Sequence, residues 1–83
     1  MPAEYKPPLN PTLEAFGARI RARRNELGLS QEAAAEQIGV HWTYLGQIER
    51  GQRSARVENI VRLAAGLGIA PGQLLDGLPV GDD

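Results

Sequence analysis

The sequence predicts an all-α fold of five short helices. Apolar residues recur at helical spacing, as in Leu13, Phe16, Ile20 and Leu27, or in Val57, Ile60, Val61, Leu63, Ala64 and Leu67. The apolar runs are short, and Gly28, Gly39 and Gly51 stand where three of them stop, the position at which a helix most readily ends. No stretch alternates apolar and polar residues as a half-buried strand would.

Each element has its own signals. Pro2, Pro7, Pro8 and Pro11 make residues 1–11 an extended, flexible arm. The first helix spans 13–27, with Thr12 as its N-cap and Gly28 as its stop. Ser30 caps a second helix, Gln31 to Ile38, which Gly39 ends. The third lies within "HWTYLGQIERG", residues 41–51. The fourth runs from Val57 to Leu67. Ala70 and Pro71 open a fifth through Leu75, with proline in the first turn, where its missing donor costs nothing. The folded domain is then 12–76, followed by an acidic tail, 77–83.

Only Gly39 to His41 separate the second and third helices, so the two must cross steeply while nearly touching. That crossing needs a small residue, a corner tolerant of positive φ and apolar anchors. Ala35, Gly39, Val40, Leu45 and Ile48 supply them.

Composition narrows the function classes. At 83 residues the chain has room for a binding surface and little for a deep active site. It has no cysteine, hence no disulfide framework or thiolate zinc site. No apolar run approaches bilayer length and the amino terminus has no apolar signal core, so a soluble, cytoplasmic protein is expected. Net charge is −1, but residues 19–62 hold eight arginines against five glutamates. The middle is basic, either as an ordinary solvated face or as a surface for an anionic partner. No nucleophile motif, phosphate loop or carboxylate pair stands out, and His41 has no ligand-spaced neighbours. Neither enzymatic activity nor a metal, cofactor or small-molecule ligand is expected.

"LGLSQEAAAEQIGV", "TYLGQIERG" and "NIVRLAAGLGI" together resemble the lambda Cro and repressor type of helix-turn-helix domain, the xenobiotic-response-element-like family. The resemblance covers residues 17–75 and puts the motif at 31–49. Within the family, "TYLGQIERGQRS" is most similar to the small controller proteins of restriction-modification systems. The resemblance implies a lambda-repressor-like fold whose third helix enters the major groove of double-stranded DNA while the second braces it.

With Leu45 and Ile48 turned inward, a helical wheel leaves Thr43, Gly46, Gln47 and Arg50 outward, with Trp42 and Tyr44 on the rims. Thr43 and Gln47 are the base-edge candidates, for thymine and adenine respectively. Trp42 replaces the polar or basic residue common in relatives and is either a third base contact or a rim residue packed on the domain or a partner. Gly46 costs the helix about 1 kcal/mol relative to alanine and either lets it seat deeply or is simply tolerated. Gln31, Tyr44, Arg50, Arg53 and Arg56 are expected at phosphates. Arg56 also stands where relatives carry a serine or threonine cap.

Arg24 falls on the apolar stripe of the first helix and needs a partner there. The resemblance points to Glu49.

The resemblance further implies a homodimer on a near-palindromic operator. Leu74, Leu75, Leu78 and Val80 are more apolar surface than a terminal turn needs; they either cover the domain's own core or form the dimer interface together with the fourth and fifth helices and the tail. The expected role is transcription regulation, as a repressor or a restriction-modification controller. Two alternatives are an antitoxin that represses its own operon and a helix-turn-helix reused as a protein-interaction adaptor.

Overall fold

In the computed structural model, which describes residues 6–80, the elements are α1 (Pro11–Glu26), α2 (Gln31–Ile38), α3 (Trp42–Glu49), α4 (Val57–Leu67) and α5 (Pro71–Leu75). Among the described residues there is no strand, and no helix is long and apolar enough to cross a membrane.

The first helix begins earlier than expected. Asn10 sits extended before Pro11, as a residue preceding proline must, and its Oδ1 accepts the Leu13 N–H at 2.9 Å. Asn10 is therefore the N-cap, with Pro11 at the first helical position. Thr12 lies inside the helix instead, and its hydroxyl donates to the Pro79 carbonyl at 2.6 Å. At the other end Gly28 takes φ 71° and turns the chain. Leu27 is thereby left 38% exposed, not on the buried stripe, and Leu29 packs against the core in its stead.

The core draws on every helix: Phe16 and Ile20 from α1, Ala34, Ala35 and Ile38 from α2, Leu45 and Ile48 from α3, Leu63, Ala64 and Leu67 from α4, and Leu74 from α5. Ser30 accepts the Ala33 N–H and caps α2, and Gly39 at φ 93° makes the corner between α2 and α3. Two glycines set helix spacing. A Cβ on Gly17 would collide with the Ile48 carbonyl oxygen and lie 2.6 Å from that of Glu49. One on Gly66 would lie 2.6 Å from the Ile38 Cα. These glycines let α1 meet α3, and α4 meet α2, backbone to backbone.

Both flanks of the helical domain are tied to it. Leu9 N–H donates to the Gly51 carbonyl at 2.8 Å, and the Gln52 side-chain amide donates to the Lys6 carbonyl at 2.6 Å. Beyond α5, Leu78 packs against the core while Pro79 accepts from Thr12. The described parts of the proposed arm and tail thus lie against the domain.

Candidate nucleic-acid interface

α3 is fixed from within and from its start. Leu45 and Ile48 are fully buried. His41 is the N-cap: its Nδ1 accepts the Thr43 N–H at 3.0 Å, and its ring stacks on Trp42 with centroids 5.9 Å apart. Histidine is an uncommon cap, and sequence reasoning missed the role.

The strongest tie is ionic. Arg24 donates from Nε to Glu49 Oε2 at 2.7 Å and from Nη2 to Oε1 at 3.0 Å, a two-pronged contact. Its Nη1 donates to the Leu29 carbonyl at 2.9 Å. Gln31 Nε2 donates to Glu49 Oε1 at 3.0 Å, and Arg21 approaches the same oxygen at 3.5 Å. The Glu49 side chain is wholly buried and that of Arg24 is 13% exposed. Burial by itself would raise the Glu49 carboxyl, but the hydrogen bonds from Arg24 and Gln31 and the Arg24 charge together hold it below the usual carboxylate value. The Glu49 hydrogen bond, opposed by burial, in turn raises Arg24. One buried carboxylate thus joins α1, α2 and α3.

The outer side of α3 is polar and open. Trp42 is 51% exposed, Thr43 and Arg50 are exposed, and Gln47 is half-buried. Gln47 Oε1 accepts from Arg53 Nη1 at 3.0 Å, and the Arg53 guanidinium lies 5.2 Å from the centre of the Tyr44 ring. The Tyr44 hydroxyl accepts from Asn59 at 3.0 Å. Tyr44, Gln47 and Arg53 therefore form one connected group. Arg56 occupies the N-cap of α4 with no side-chain cap bond, and its side chain stays exposed. Gly46 is buried although it points outward, because Gln31 and Arg50 close over it.

The arginines divide by task. Arg19 donates to the Gln73 carbonyl and Arg23 to the Leu67 carbonyl, on the α4 and α5 side of the domain. With Arg24 neutralised by Glu49, three of the basic residues serve the fold.

Two expectations about the apolar surface need correction. Leu74 is 1% exposed and belongs to the chain's own core, because α5 folds back onto α1 and α4; it has no face for a partner. Leu78 is half-buried against that core. Leu75 at 43% and Val80 at 89% remain exposed, and Val57 at 74% and Val61 at 50% join them from the helix expected to bury them.

Residues 20–74 match the HTH_3 helix-turn-helix family. The chain is 37% identical over 68 residues to the control protein C.BamHI of Bacillus amyloliquefaciens, covering 81% of this chain and 84% of that protein. Among solved structures it is similar to the restriction-modification controller protein C.AhdI of Aeromonas hydrophila, with a TM-score of 0.72 and 45% identity over 75% of this chain and 94% of that one. The P22 c2 repressor protein, solved in complex with a synthetic operator, superposes with a TM-score of 0.69 at 37% identity, over 75% of this chain and 94% of that one.

Proposed function

This chain belongs to the HTH_3 helix-turn-helix family, and from that premise we propose that it is a sequence-specific regulator of transcription that binds double-stranded DNA as a homodimer. The observation that carries the proposal is the division of α3. Its inner side is pinned by Leu45, Ile48 and the Arg24–Glu49 pair, while Trp42, Thr43, Gln47 and Arg50 have no part in the core. Thr43 and Gln47 read base edges, with Trp42 at the leading edge of the helix. Gln31, Tyr44, Arg50, Arg53 and Arg56 meet phosphates around them. The relatives favour a restriction-modification controller, acting in the cytoplasm by occupancy of its operator and without catalysis.

A single module of this size makes too small a footprint to find a site alone. A second copy doubles it, and the exposed Leu75, Val80, Val57 and Val61 are the apolar surface available for that contact. Sedimentation of wild type and Val61→Glu at micromolar concentration tests the dimer: wild type should run as a dimer and the variant as a monomer.

The DNA reading is tested by binding to random duplex and to an operator selected from a random pool. Salt-dependent binding to both, tighter for the selected sequence, is expected. The exposed Trp42 on its His41 stack is what a protein-interaction adaptor would also offer; a protein that ignores duplex DNA even at low salt favours that reading instead.

A further inference from the structure

We propose that Gly46 is the positioning residue for Arg50: the side chain it lacks leaves the seat in which the Arg50 guanidinium lies, so that Arg50 meets a DNA phosphate from the middle of the outward side of α3. The proposal rests on the DNA-binding reading.

Glycine weakens a helix interior relative to alanine, and nothing in the core requires it here. Gly46 is within α3 and has no positive φ. Gly17 and Gly66 face another helix's backbone, but the nearest atoms to a Cβ on Gly46 would be the ends of two polar side chains. These are Arg50 Nη1 at 3.0 Å, Gln31 Oε1 at 3.4 Å and Arg50 Nη2 at 3.6 Å. Helical side chains lean toward the N-terminus, onto the residue four earlier. From position 50 that residue is Gly46, and the guanidinium lies back over it.

Both polar groups are held in place from behind. Arg50 Nε donates to Gln52 Oε1 at 3.1 Å, and Gln52 is itself tied to the Lys6 carbonyl. Gln31 is fixed by its bond to Glu49. The Arg50 fork is thereby carried from the end of α3 to the middle of its outward side, beside Gln31. A methyl group at 46 would push that fork away. Because the displaced group is the free end of a flexible chain, the fold would not suffer, whereas the grip on a phosphate, which depends on the fork's geometry, would.

The test compares wild type, Gly46→Ala, Arg50→Ala and the double variant for binding to duplex DNA across a salt series, with thermal melting of each. Gly46→Ala should melt higher, by about 4 °C, from its better helix propensity. It should nevertheless bind every sequence more weakly, by about fivefold against about tenfold for Arg50→Ala, the scale of one charge-assisted hydrogen bond. Both should lower the salt slope, by up to about 0.9. The double variant should bind no worse than Arg50→Ala, because the two changes remove one contact. Unchanged binding by Gly46→Ala, losses that add in the double variant, or a lowered melting temperature would each overturn the seat while leaving the DNA reading intact. Failure of wild type to bind any duplex at low salt would overturn both.

Discussion

The two sides of α3 are built by different rules. On the inner side every group has a fixed partner: Leu45 and Ile48 are sealed in the core, Glu49 takes bonds from two neighbouring helices, and Gly17 brings α1 within contact of the α3 backbone. On the outer side the polar side chains touch mainly each other, as Gln47 does Arg53 and Arg50 does Gln52. The inner side spends stability on holding a helix at one angle. The outer side is free to vary, because no core residue rests on it. Substitutions on the two sides should therefore separate cleanly, with stability lost on one and binding on the other.

The largest effect is expected at Glu49. Glu49→Gln leaves the Arg24 guanidinium without its counter-charge in a nearly closed site, at a cost of about 3 to 5 kcal/mol. Glu36 is exposed on α2, so Glu36→Gln should stay within about 0.5 kcal/mol. Chemical denaturation of the two variants measures the difference, and equal stabilities would end the idea that the pair anchors α3. Acid should act on the same bond. The folded-state pKa of Glu49 is depressed, so its contribution is fully present above the ordinary carboxylate value near 4.5 and is lost as pH falls through the lower folded value. Wild type should lose stability in that acid range more steeply than Glu49→Gln, which has no proton to take up there.

Gly17→Ala comes next. The added Cβ meets main chain at Ile48 and Glu49 rather than a movable side chain, so α1 and α3 must part, at about 1 to 3 kcal/mol. This should appear as a lower denaturation midpoint, in contrast to the gain expected from the same change at Gly46.

The two glycines also mark where the sequence is legible and where it is silent. The five helices can be read because periodicity and end signals such as Ser30, Gly39 and Pro71 are local. The close approaches at Gly17 and Gly66 cannot, since glycine in a helix registers only as a weak helix former until the facing backbone is known. A helical wheel ranks directions around one helix but says nothing of what covers them. For that reason Val57 and Val61 look buried in the sequence and stand in solvent, while Leu74 looks spare and is core. Asn10 and His41 are hidden for another reason: Thr12 is also a cap by type, and histidine is rarely a cap at all.

The smallest stability effects, and the most informative binding effects, belong to the outer side. Arg53→Ala and Gln47→Ala should each shift stability by no more than about 0.5 kcal/mol, as surface changes do. Their consequences for DNA should differ in kind. Arg53 supplies charge, so its loss should weaken all duplexes alike and flatten the salt slope by about 0.9. In the proposed role Gln47 reads a base edge, and its loss should then remove about 1 to 3 kcal/mol of discrimination at one position of the selected operator and leave the salt slope unchanged. The Arg53–Gln47 hydrogen bond makes this a demanding pair. If Arg53 served only to orient Gln47, Arg53→Ala would also relax the preference at that one position. Binding of both variants to operators altered one base pair at a time separates a phosphate contact from a brace.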